Sequence, residues 1–224
     1  ELAQAQQDVA HLTGAPRGHL RVTAPTYFGS AILAPLLKDF AAQYPEVRLE
    51  LDLDDRITDL VKDRFDVAVR IAPRVDPGLV ARRVADSVLM VVGSPAYFKS
   101  NPAPKTHADL KHHTGLGYSL QRVPLEWSLR APNGRWVAVR MDCPLTCNSD
   151  FVLKQAALDG LGLAVLPRFF VAAELADGRL VQALPGYRTE ALAVSVVYTS
   201  RRNLLPQVRA FVDFLAGRLA RQAL

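Results

Sequence analysis

The chain has 224 residues, 50% of them hydrophobic and 22% charged, and carries a formal net charge of +5. These are the proportions of an ordinary water-soluble globular protein, with room for one large α/β domain or two small ones. No apolar run approaches the ~18 residues of a membrane span and no signal peptide opens the chain. The modest positive charge permits an acidic partner but equally describes a solvated surface. Cys143 and Cys147 lie on one expected strand, roughly 13 Å apart, too far for a disulfide, and no second pair completes a zinc set. The cytoplasm is the expected compartment. The sequence begins at Glu1 rather than Met, and the expectation is a piece of a longer or processed protein.

Taken in order, Glu1 to Leu12 reads as a helix with Leu2, Ala5, Val9 and Leu12 on a narrow coiled-coil-like seam, and Thr13 to Gly18 reads as a linker. Leu20 to Ala24 is a first strand ended by Pro25. Thr26 or Ser30 is the expected cap of a helix that presents Ile32, Leu33, Leu36, Leu37, Phe40 and Tyr44 at helical spacing. Pro35 either lies in the first turn of that helix or kinks it. Val47 to Asp54 alternates charged and aliphatic residues, a strand with one wet face. A short helix over Ile57 to Lys62 and a buried strand over Phe65 to Ile71 follow. Leu79 to Val84 and Val88 to Val92 are further strands, the second nearly all apolar. Ser94-Pro95 opens a helix with a good cap.

Thr106 to Asp109 resembles a capping box with Asp in place of Glu. Strands over Leu125 to Arg130 and Arg135 to Arg140 flank Pro132-Asn133-Gly134, a hairpin signal. The stretch CNSDFVLKQAALDGLGLAVLP, Cys147 to Pro167, is a strand–helix–strand unit. In it Asn148 or Ser149 caps the helix, and Phe151, Val152, Ala156 and Leu158 face inward with Lys154 and Asp159 outward. Gly160 stops the helix and Pro167 begins the next. Leu180 to Leu184 and Ala191 to Thr199 are strands. The closing helix from Pro206 buries Val208, Phe211, Val212, Leu215 and Leu219 and belongs with the first block. The fold class is α/β: two Rossmann-like lobes joined by two crossing strands, with a cleft and a hinge between them. The expected division is residues 1–17 as the end of a linker helix and its linker, 18–92 with 198–224 as the first lobe, and 93–197 as the second.

No catalytic constellation stands out. G-x-S-x-G, H-E-x-x-H and P-loop patterns are absent, and Gly160-Leu161-Gly162 lacks the third glycine of a dinucleotide fingerprint. His112 and His113 would point to opposite faces of an extended segment and read as surface residues. Asp52, Asp54 and Asp55 could hold a cation but read better as solvated. No metal, cofactor or catalytic residue is expected. A binding reading has more support: Thr26 and Asn148-Ser149 each start a helix after a strand, where free N–H groups favour anions, and Arg70 adds a bidentate cation. The alternative for Arg70 is simple pairing with Asp54 or Asp66.

LRVTAPTYFGSAILAPLLKDFAAQYPEVRLEL, then DVAVRIA, VVGSPAYF, CNSDFVLKQAALDGLGLAVLP and VYTSRRNLLPQVRAFVDFL, in that order, resemble the regulatory domain of LysR-type transcriptional regulators from about Gly18 to Leu215. The resemblance implies a periplasmic-binding-protein type II-like pair of lobes that binds a small effector between them. It also implies self-association into a dimer, or a tetramer in the full-length protein, and DNA binding through an N-terminal winged helix-turn-helix outside this chain. By position it implies effector contacts from Pro25, Thr26, Tyr27 and Arg70 in one lobe. In the other it implies contacts from Asn148, Ser149, Asp150 and Pro167, with Tyr118 a looser assignment. Asp150 departs from the pattern, because an acid at a helix start opposes an anionic ligand. The rivals are an exported solute-binding protein for a small anion and an enzyme on the same fold.

Overall fold

The computed structural model describes residues 15–73, 75–121, 123, 126–199 and 204–220. The seam at Leu2, Ala5, Val9 and Leu12 lies outside these. The chain separates into two compact units, one running to Asp86 and resuming at Ala193, the other from Ser87 to Leu192.

The first unit holds a five-stranded sheet in the order β2-β1-β3-β12-β4, built from β1 (Gly18–Ala24), β2 (Val47–Leu53), β3 (Val67–Ala72), β4 (Val80–Ser87) and β12 (Leu192–Tyr198). β1 runs parallel to both β2 and β3, and β12 returns antiparallel to β3. Position in the sheet explains the burial: β1, between β2 and β3, is buried through Val22, Thr23 and Ala24, all at 0% exposure, whereas edge strand β2 alternates half-buried aliphatics with exposed charges. After β1 comes one continuous helical stretch, α1, formed by Thr26–Phe28, Gly29–Leu33 and Ala34–Gln43. Its middle turn is wide, with the Ala34 N–H bonded to the Gly29 carbonyl five residues back. That turn is where Pro35 is accommodated, so the proline sits at the start of the last segment. The last helix, α5 (Pro206–Leu219), packs on the same sheet and meets α1 through Phe40, whose ring centroid is 5.3 Å from both Phe211 and Phe214.

Ile57 to Lys62 does not form a helix. The Asp59 carboxylate accepts the Val61 and Lys62 N–H groups, Asp63 Oδ2 accepts the Asp59 N–H, and Arg64 adopts a φ of 57°. Short acidic side chains bonded to nearby backbone close an irregular turn instead.

The second unit holds the sheet β11-β5-β10-β6-β9 and a separate hairpin. Its strands are β5 (Leu89–Gly93), β6 (Thr114–Tyr118), β9 (Asp142–Cys147), β10 (Leu163–Pro167) and the short β11 (Val181–Gln182). The hairpin is β7 (Glu126–Arg130) with β8 (Trp136–Arg140), closed through Gly134 at φ 84°. Helix α2 (Pro95–Ser100) is capped as expected, the Tyr97 N–H reaching Ser94 Oγ at 3.3 Å. Helix α3 (Asp150–Leu158) ends at Gly160, whose φ of 81° meets the demand for a left-handed stop. A short α4 (Ala172–Ala176) follows β10.

β6 has no sequence forecast because TGLGY lacks a strand-like apolar pattern, yet it lies inside the sheet between two parallel neighbours, β10 and β9. The pairing is so close that a Cβ on Gly162 would come within 2.7 Å of the Thr114 carbonyl oxygen. The inward face of α3 also differs from expectation. Leu153 and Ala157 are fully buried, while Phe151 and Val152 remain 39% and 45% exposed. The helix is apolar on two sides, and Phe151 on the outer one packs edge-on against Phe170, ring centroids 4.8 Å apart. Lys154 is drawn in, its Nζ 2.9 Å from Glu174 Oε1 and 4.2 Å from the Phe170 ring centre.

Candidate functional site

Parallel strands direct the chain to one edge, and both units use that edge in the same way. In the first, β1 delivers Pro25, Thr26 and Tyr27, β2 delivers Asp54 and Asp55, and the carboxyl half of β3 carries Arg70. In the second, β6 ends on Tyr118, β9 leads into Asn148, Ser149 and Asp150, and β10 ends on Pro167. All nine residues singled out from the sequence therefore lie at the carboxyl edge of the parallel strands of their own unit. That is where open α/β sheets bind ligands.

The local chemistry differs from the expectation at both helix starts. Thr26 is not a cap. Pro25 occupies the cap position, and the Thr26 N–H is bound at 2.8 Å by Oδ1 of Asp55, arriving from the end of β2. Ser30 does not cap either, since its hydroxyl donates to the Thr26 carbonyl at 2.8 Å. The protein's own carboxylate thus holds one of the N–H groups that an anion would seek there. Tyr27 is buried at 7% exposure. At the second start Ser149 holds the cap position with an extended backbone, but its hydroxyl makes no capping bond. Asp150, the first helical residue, is buried at 8% exposure, and Asn148 is exposed.

Arg70 pairs with neither Asp54 nor Asp66. Its Nη2 donates to the carbonyl and the hydroxyl of Thr58, at 2.7 and 2.9 Å. Asp66 instead accepts the Arg21 N–H at 2.8 Å. Burial holds the Arg70 guanidinium below its ordinary pKa, with the charge of Asp54 acting the other way. Nε and Nη1 of Arg70 meet no partner among the described residues, which leaves a half-buried cation with donors to spare. Asp55 and Thr58 are the functional neighbours that the sequence did not assign. A run of acids after a strand reads as solvent-facing, and only the pairing of β1 with β2 brings Asp55 beside Thr26.

Among the described residues no group of three or more His, Cys, Asp or Glu could hold a metal, and no helix is long and apolar enough to cross a membrane. Both cysteines are free; burial raises the Cys143 thiol pKa, and its Sγ lies 3.3 Å from the Leu145 carbonyl.

Residues 13–220 match the LysR substrate binding domain family. The chain belongs to that family. It is 36% identical to the HTH-type transcriptional regulator PtxR of Pseudomonas aeruginosa, across 99% of this chain and 71% of that protein. It is 33% identical to the HTH-type transcriptional regulator DmlR of Escherichia coli, across 96% and 70%. Among solved structures it resembles the full-length Vibrio cholerae virulence activator AphB, with a TM-score of 0.81, 28% identity, and coverage of 96% and 73%. It also resembles the CrgA regulatory domain of Neisseria meningitidis, with a TM-score of 0.80, 29% identity, and coverage of 91% and 100%. The LysR regulatory chain is thus an effector-binding domain with the periplasmic-binding-protein type II-like fold, and its relatives are transcriptional regulators rather than solute-binding proteins.

Proposed function

We propose that this LysR-family domain senses a small acidic metabolite at the carboxyl edges of its parallel strands, with Pro25, Thr26, Tyr27, Arg70, Tyr118, Asn148, Ser149, Asp150 and Pro167 as the contacting set. The observation that carries the reading is the gathering of every one of these residues at the strand edge of its unit. Arg70 is the donor for the acidic group, because Thr58 fixes one of its nitrogens and two remain unengaged among the described residues. With Asp55 already on the Thr26 N–H, the first helix start serves as a positioned wall rather than an anion hole. Ser149 offers a hydroxyl that the helix does not use. Asp150 favours a ligand that also carries a hydrogen-bond donor.

Ligand binding would act by population shift, favouring one packing of protomers and so altering how an N-terminal DNA-binding domain sits on its operator. A ligand with equal affinity for both packings would change nothing. The proposal places the protein in the cytoplasm, as a dimer or a higher assembly, with DNA as its partner and no reaction catalysed. Arg70→Met tests it: a small acid that stabilises the wild type thermally should lose that effect in the variant, and retention of the full shift would refute the assignment.

A further inference from the structure

The amino edge of the second unit's sheet carries a separate group of polar residues. Between the end of α2, the 3₁₀ turn His107–His112 and the start of β6 lies a pocket of about 360 Å³, lined by Asn101, Pro102, Lys105, Asp109, His112 and His113 among others. It lies at the beginning of β6, whereas the candidate effector residue Tyr118 lies at the end of that strand.

His113 is the deciding residue. Unlike the exposed His112, it is 6% exposed, contrary to the surface role expected for the pair. Its Nδ1 lies 3.1 Å from the Tyr97 hydroxyl, and that hydroxyl accepts the Thr114 N–H at 2.9 Å. Tyr97 is itself buried at 5% exposure, and its single proton needs an acceptor. Nδ1 of His113 is that acceptor, so the imidazole proton resides on Nε2. Nε2–H has no partner among the described residues, and His113 forms part of the pocket wall. The His113 Nε2 atom is not itself fully buried, so it is a donor that a ligand in the pocket can reach and supply with an acceptor.

The surroundings narrow the ligand. Lys105 contributes an ammonium with no ion pair among the described residues. Asn101 has committed its amide N–H to the Tyr97 carbonyl at 3.1 Å, leaving Oδ1 as an acceptor. Asp109 is occupied: its Oδ2 accepts the backbone N–H groups of Lys105 and Thr106 at 3.0 and 2.8 Å, which hold it ionised below the usual carboxylate range. One fixed negative charge beside one ammonium suits a monoanion and opposes a dianion. Pro102, Ala103 and Pro104 supply an apolar wall.

We propose that this pocket is a second small-molecule site, independent of the strand-edge residues, that takes a small monocarboxylate with an apolar body. The carboxylate accepts from His113 Nε2–H and pairs with Lys105.

The test titrates the chain with benzoate, with its neutral amide benzamide and with inorganic phosphate, following the His113 side-chain Nε2 and Hε1 resonances by NMR. Wild type, Lys105→Glu and Ser149→Leu are run in parallel. Lys105 is exposed, so its variant should fold. The proposal expects benzoate alone to shift the His113 signals saturably, Lys105→Glu to weaken it about tenfold, and Ser149→Leu to leave it unchanged. It is overturned if the His113 signals do not move, if benzamide or phosphate moves them equally, or if Lys105→Glu binds as the wild type does. Loss of the shift in Ser149→Leu would also overturn it, by returning the ligand to the strand-edge site.

Discussion

Replacing Asp55 with alanine deletes a carboxylate whose Oδ1 lies 2.8 Å from the Thr26 N–H, at the mouth of helix α1. The loss has two parts. A side-chain acceptor at a helix start contributes about 1 kcal/mol, and a negative charge near the positive end of the helix dipole adds about 0.5 kcal/mol. The sum, about 1.5 kcal/mol, should appear as a lower urea midpoint for the first unit, followed by circular dichroism. Asp55→Asn keeps an oxygen acceptor and loses only the charge, so it should cost about 0.5 kcal/mol. Hydrogen exchange supplies the residue-level check, because the Thr26 amide should lose protection in the alanine variant and largely keep it in the asparagine one. The same substitution frees an N–H at the candidate site, so an acidic ligand should bind Asp55→Ala more tightly than wild type. Equal midpoints for wild type and Asp55→Ala, with unchanged exchange at Thr26, would refute the idea that this carboxylate closes the helix start.

Gly162→Ala should destabilise the second unit by about 2 kcal/mol, since a Cβ there meets the Thr114 carbonyl oxygen at 2.7 Å and that backbone is fixed within the sheet; thermal denaturation at wild-type stability would contradict this. Burial holds the His113 pKa below its ordinary value of 6.5, with Asp109 opposing and His112 assisting. The unfolded chain therefore takes up a proton there first, so stability should fall as pH drops below about 6.5 and level off once the folded state is protonated too. His113→Gln should flatten that part of a stability–pH curve, and an identical acid slope in the variant would count against it. Lys154→Met leaves Glu174, whose side chain is only 10% exposed and lies 2.9 Å from the lysine, with Arg179 Nη2 at 3.8 Å as its remaining cation. The expected cost is about 2 kcal/mol, partly restored by adding Glu174→Gln in a double-mutant cycle, and strict additivity would argue that the pair is uncoupled.

Much of the architecture is legible in the chain because the pattern rules are local. The alternation of Val47 to Leu53, the Ser94-Pro95 cap, the Gly160 stop and the apolar stripe of the last helix each identify an element without tertiary context. Three features escape because contacts that the hydrophobic pattern does not encode decide them. β6 gains its place from the close approach that Gly162 permits, not from the hydrophobicity of TGLGY. The turn after β2 is captured by Asp59 and Asp63 side chains that outcompete helical bonding. The rotation of α3 is set by which face meets β6 and β10, and Phe151 and Val152 look as core-like in sequence as Leu153. The candidate site follows the same division. Its helix starts are visible as strand-then-cap motifs, but the Asp55 bond to Thr26 and the Thr58 hold on Arg70 join residues that sheet pairing and an irregular turn bring together.

The most direct measurement of the central claim is a ligand titration of three proteins, wild type, Thr26→Leu and Ser149→Leu, against a panel of small acids by isothermal calorimetry, with circular dichroism to establish that each variant is folded. The account predicts that at least one acid binds the wild type saturably and that each substitution, in its own unit, abolishes that binding. Undiminished affinity in both folded variants would contradict it.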